Sequence, residues 1–137
     1  MKPPVTTIVT TSQGRDQLMR MKRIMGISQW NIIMRWAVCL SLREDSMPPV
    51  YKAKNHDNES TESERSVTVE WSIFAGKSSE MFISALKLRY IEDCGDDPML
   101  TESEYFHRHL HRGLNILDGN LERDEGNLTL IKFLLKK

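Results

Sequence analysis

The break Gly26-Ile27-Ser28 constrains this chain more than any other feature, because it separates two stretches of helical periodicity by a very short turn. Upstream, Leu18, Met21, Ile24 and Met25 share one face of a helix expected over about residues 12–25, while Arg15, Lys22 and Arg23 point elsewhere. Gly26 can take the left-handed conformation that ends a helix, and Ser28 can cap the next one. The second helix is expected to bury Ile32, Ile33, Trp36, Ala37 and Leu40, and to end near Asp45 because Pro48-Pro49 forbids continuation. A tight turn of this kind sets unpaired backbone N–H groups beside Arg20, Lys22 and Arg23, which is an anion-binding layout. A polymer with regular phosphates suits it, so the pattern points to DNA.

The charge distribution agrees. The chain of 137 residues has a net charge of zero. Residues 1–43 nevertheless carry Lys2, Arg15, Arg20, Lys22, Arg23, Arg35 and Arg43 against Asp16 alone. A basic block on a neutral chain implies a local anion-binding face rather than general stickiness. The length suits a single domain, 1–137, and the apolar fraction of 39% is ordinary for a globular protein. No apolar run approaches the ~20 residues of a membrane span, and the N-terminal residues contain no hydrophobic signal core, so a cytoplasmic protein is expected. Cys39 reads as a buried small hydrophobe, and the acidic neighbours of Cys94 make it a poor nucleophile.

Residues 5–11 are β-branched throughout and follow Pro3-Pro4, so they should be extended. A lone strand must pair, and its copy in a second subunit is the expected partner. Residues 52–66 contain almost nothing to bury and read as a mobile acidic loop. Val67, Val69, Trp71 and Ile73 alternate as a short strand, and a third helix follows Ser78 with Met81, Phe82, Ala85, Leu86 and Leu88 apolar. Thr101-Glu102-Ser103-Glu104 is a capping box, with Leu100 placed to staple against Tyr105. Phe106, Leu110, Leu114 and Leu117 continue that fourth helix to Asp118, where Gly119-Asn120 should stop it. Residues 119–137 form a C-terminal extension with its own apolar set. The fold expected is mainly α, a short strand and two helices followed by two more helices.

His107-Arg108-His109-Leu110-His111-Arg112-Gly113 invites a chemical reading. His107 and His111 share a helix face, but the arginines beside them repel a cation and no acidic third ligand stands at helical spacing. Arg108 and Arg112, one turn apart, suit either a phosphate clamp or structural ion pairs. No nucleophile elbow, P-loop, dinucleotide fingerprint or calcium loop is present, so neither an enzyme nor a cofactor is expected. The eight methionines read as adaptable core or subunit interface.

Strand, helix, Gly-x-Ser turn and helix is the plan of ribbon-helix-helix DNA-binding proteins. A closer likeness lies in Met25-Gly26-Ile27-Ser28 through Asn31, in Arg35-Trp36-Ala37-Val38-Cys39-Leu40-Ser41-Leu42, in Gly76 with Met81-Phe82-Ile83-Ser84-Ala85-Leu86, and in His109-Leu110-His111-Arg112-Gly113-Leu114. These segments, in this order over about residues 12–118, resemble the DndE family of the bacterial DNA phosphorothioation (DNA sulfur modification) system. The resemblance implies a helical homo-oligomer, typically a tetramer, that binds double-stranded DNA with nicked duplex favoured. It also implies sulfur-transfer and ATPase-like partner proteins, and no chemistry of its own. The DNA-contacting residues expected are Arg20, Lys22, Arg23, Gly26, Ile27, Ser28 and Gln29, with Arg35, His109, His111 and Arg112 as second-line candidates. Two other functions fit the residues: a protein–protein adaptor in that complex without DNA contact, and a ribbon-helix-helix transcriptional regulator.

Overall fold

Thr11 opens the first long helix by accepting a hydrogen bond from the Gly14 N–H at 3.0 Å, and Gly26 closes it in the left-handed conformation at φ 69°. This helix, α1 (Ser12–Met25), is followed directly by α2 (Trp30–Arg43). The computed structural model describes residues 2–51, 66–95 and 99–123. Within them α1 is preceded by β1 (Thr7–Val9), and α2 leads to β2 (Thr68–Glu70), α3 (Trp71–Ala75), a single 3-10 turn, α4 (Ser79–Cys94) and α5 (Glu102–Arg123). The proposed loop 52–66, apart from Ser66, and the C-terminal apolar set from residue 124 onward lie outside the described residues.

The expected fold class is present: a mainly helical chain with a short strand and two helices at its start. The expected strand partner is not. β1 pairs antiparallel with β2 of the same chain, Ile8 opposite Val69, and not with a second copy. Hydrogen bonds from the Thr10 N–H to the Val67 carbonyl (3.0 Å) and from the Trp71 N–H to the Thr6 carbonyl (2.9 Å) close the ladder at both ends. Pairing within the chain wins because it sinks Ile8, Val67 and Val69 into one core with Trp71. The alternation from Val67 to Ile73 is likewise cut short. The chain turns helical at Trp71, which buries Trp71, Phe74 and Ala75 and leaves Ile73 at the surface.

The buried face of α2 is rotated from the expected one. Ile33, Met34, Ala37, Val38 and Ser41 face inward, whereas Trp36 is 44% exposed. Cys39, expected inside, is exposed. The displacement follows from α5. Gly113 lies against the Ala37 carbonyl so closely that a Cβ at 113 would fall inside it, and this crossing turns the 33/37/41 row of α2 toward α5. At the other end of α5, Thr101 caps as expected, accepting from the Glu104 N–H at 3.1 Å. The helix runs on through Gly119-Asn120 to Arg123. Glycine in a helix costs about 1 kcal/mol. Burial of Leu121 and the ion pair between Asp118 and Arg20 outweigh that. Phe74 centres the core, its ring 5.2 Å from Trp71, 5.1 Å from Phe82 and 5.4 Å from Phe106.

Candidate nucleic-acid interface

At the α1–α2 turn, Ile27 and Trp30 pack on the core and fix the backbone between the two helices. Ser28 does not cap α2. The cap position belongs to Gln29, whose side chain makes no capping bond, so the first-turn N–H groups are left to solvent or ligand. Lys22 lies over the Trp30 ring, 4.8 Å from its centroid. Met19, Lys22, Arg23, Gly26, Ile27, Ser28 and Trp30 line an open groove of about 440 Å³. Arg23, Ser28 and Gln29 are exposed and Lys22 is half-buried. The structure therefore brings Lys22, Arg23 and residues 26–29 together on one surface.

The other candidates sit elsewhere. Arg20 turns toward α5 and pairs with Asp118, its Nε donating to Oδ1 at 3.0 Å. Arg35 donates its Nε–H to the Phe74 carbonyl at the end of α3, beside Asn31, whose amide donates to the Ile73 carbonyl at 3.3 Å. Arg112 donates its Nε–H to the Ser41 hydroxyl at 2.8 Å and its Nη2–H to the Ser41 carbonyl at 2.7 Å, with Nη1 on the Ser46 carbonyl at 3.0 Å. Arg89 completes this cap on the C-terminal end of α2 through the Leu42 and Glu44 carbonyls at 2.7 and 2.8 Å. Two guanidinium groups thus gather the carbonyls at the end of α2 and just beyond it.

His109 is fully buried. The Ser41 hydroxyl, which accepts from Arg112, also shares a hydrogen bond with His109 Nδ1 across 2.8 Å. Burial, with Arg112 and Arg89 adding positive charge, pushes the His109 pKa down to about 4. Ser41 is itself 0% exposed, so the pair is a sealed polar node and not an accessible nucleophile with its base. His111 is also buried. Its Nδ1–H donates to the His107 carbonyl (2.7 Å), and its Nε2 accepts the Thr11 N–H (3.1 Å). His107 repeats the arrangement with the Ser103 carbonyl (2.7 Å) and the Val9 N–H (3.2 Å). Every ring nitrogen of these two histidines is used inside the protein, which leaves no lone pair for a cation and no surface for an anion. His109, His111 and Arg112 therefore belong to the interior scaffold rather than to the groove.

Trp30 and Met19 were not among the residues picked out as contacts. The available signal was Trp30 standing just past the turn, within reach of the last turn of α1. Among the described residues, no cluster of three or more His, Cys, Asp or Glu is arranged to hold a metal, and no helix is long and apolar enough to cross a membrane.

Fold and site together define a small helical protein in which His107, His109, His111 and most of the central arginines serve the interior, with a basic groove left at one helix–helix turn. The family model described as DNA sulphur modification protein DndE matches residues 7–125, and the chain belongs to that family. Membership implies a role in DNA sulfur modification. The match takes in β1 and β2, which lie outside the motifs that carry the likeness. No individual curated protein matches the chain.

Proposed function

We propose that this protein is a non-catalytic DNA-binding subunit of the cytoplasmic DNA sulfur modification machinery, and that it grips backbone phosphates of double-stranded DNA, nicked duplex above all. The observation that carries this reading is the groove at the α1–α2 turn, where Lys22 and Arg23 stand beside the uncapped start of α2. Cations and helix N–H groups converging on one open surface favour a phosphate. Gly26, Ile27, Ser28 and Gln29 contribute backbone, and Lys22 and Arg23 contribute charge. Few cations line one groove, so tight binding would draw on several copies in a homo-oligomer, a tetramer being favoured. Sulfur-transfer and ATPase-like subunits of the system are the expected protein partners.

The test is a binding titration on intact and nicked duplex at two salt concentrations, with the Lys22→Ala/Arg23→Ala variant alongside. The parent should lose affinity with salt, and the variant's log–log slope should be shallower by about one unit per lost phosphate contact. Parent and variant binding equally at every salt concentration would remove the turn from the interface.

A second reading has its own support. Met81, Leu88 and Ile91 of α4 are 58%, 64% and 55% exposed and lie along one side of the helix. Such a stripe suits a protein partner, whether another copy or a neighbouring subunit, and fits an adaptor that never touches DNA. Absence of DNA binding together with a stable complex with another subunit would favour it.

A further inference from the structure

We infer that His107 and His111 form a proton-sensitive latch, which holds β1 and the start of α1 on α5 only while both rings are neutral. In β1 the N–H groups of alternate residues point to opposite edges. Those facing β2 enter the ladder. The N–H groups of Val9 and Thr11 point the other way and end on His107 Nε2 (3.2 Å) and His111 Nε2 (3.1 Å). Each ring is set by its other nitrogen, since Nδ1–H is committed to a carbonyl one turn back on α5. Nε2 must therefore carry the lone pair. An imidazolium has hydrogen on both nitrogens and cannot accept, so a proton taken up at Nε2 sets N–H against N–H and forces β1 off the helix.

The surroundings keep the latch closed at neutral pH. His111 lies flat against Tyr51, with 4.1 Å between ring centroids, and a Cβ added at Gly14 of α1 would come within 3.4 Å of its ring. His107 is its neighbour along α5, 6.5 Å between centroids. Tyr51 and Glu104 line the groove at His107, and Glu104 and Arg108 act on Tyr51 in opposite senses. Burial above all holds the His111 pKa at about 4 against an ordinary 6.5; the bond to the His107 carbonyl works the other way, and the His107 ring adds a smaller push down. Between these values the folded protein binds fewer protons than the opened one. The contribution of the latch is complete above the upper value and is lost as pH falls toward the lower. Thr11 is the N-cap of α1, so opening frees the beginning of α1 along with β1. The α2–α5 crossing does not use these rings and stays closed.

Amide hydrogen exchange resolved by residue, from pH 7 to pH 4.5 and corrected for intrinsic exchange chemistry, reads the latch directly. The Val9 and Thr11 amides should open progressively more on acidification, by up to about tenfold per pH unit for each proton taken up. Amides at the centre of α2 should stay better protected than these two at every pH in that range. In His107→Gln/His111→Gln, whose amide oxygens can replace Nε2 as acceptors but do not titrate, the Val9 and Thr11 protection should become flat with pH. The same acid response in that variant overturns the inference. Ring nitrogen shifts of the parent supply a measurement that needs no variant. A His111 ring that protonates while the Thr11 amide stays protected also overturns it.

Discussion

The two ends of α2 are both attended by basic side chains, and the comparison between them is instructive. At the C-terminal end, Arg112 and Arg89 donate into the Ser41, Leu42, Glu44 and Ser46 carbonyls, where positive charge meets the negative end of the helix dipole. At the N-terminal end, Lys22 and Arg23 stand beside N–H groups that no side chain caps. They complement the C-terminus of α1 but find nothing negative on α2. The first arrangement is complete within one chain. The second is left open at the surface. Chemical content in a sequence and a site in a fold are therefore separate matters: the His/Arg-rich segment of α5 is the scaffold, and the plainer Met/Lys/Arg turn is the open surface.

Substitutions at the two ends should diverge sharply. The largest effect is expected at Gly113. Its replacement by alanine drives a methyl group into the Ala37 carbonyl and should cost about 3 kcal/mol or more, read from urea midpoints. An unchanged midpoint would mean that α2 and α5 cross farther apart than described. Arg112→Met, which strips the cap from α2, should cost about 3 kcal/mol, and Ser41→Ala, which orphans Arg112 Nε and His109 Nδ1, about 2 kcal/mol. Equal and negligible losses would break the contrast between a used and an unused cation cluster.

A graded effect should follow pH. His109 is held at about 4 against an ordinary 6.5, so its folded pKa is depressed and its contribution to stability is full above the upper value. That contribution should fade as pH drops toward the lower one. Urea midpoints at pH 7, 5.5 and 4.5 should decline in that order, and a constant midpoint would place His109 in contact with solvent. The smallest effect belongs to Lys22→Ala/Arg23→Ala, whose stability should stay within about 0.5 kcal/mol of the parent. A larger loss would show that the turn's cations are structural after all.

Local signals in the sequence carried much of this architecture, and pairwise choices carried little. Thr101, Gly26 and the apolar rows of α1 and α5 mark helix limits and faces through chemistry confined to a few neighbouring residues. The inward face of α2 escaped notice because its third member is Ser41, a polar residue buried to serve Arg112 and His109, while the bulky Trp36 stays outside. No hydrophobic pattern encodes that exchange. The partner of β1 escaped for a related reason: β2 lies far along the chain beyond a polar segment, and three-residue strands have almost no periodicity of their own. The helix passing through Gly119-Asn120 depends on Asp118 and Leu121 finding partners elsewhere in the fold. At the turn, the cations were legible as a cluster. The withdrawal of Arg20 to Asp118 was not, since it depends on where α5 happens to pass.

The separation in sequence of the contacts that seat the N-terminal segment sets the order in which this chain can assemble. Gln17 meets Asn115, Arg20 meets Asp118, and the β1 segment meets His107 and His111. During synthesis α1 can meet only α2 at first, and its partners on α5 exist only when nearly the whole described chain has been made. Although α1 is translated well before α5, the two dock only late. Closing so long a loop slows folding, and the interval before that docking is when an unfinished chain is most exposed to aggregation.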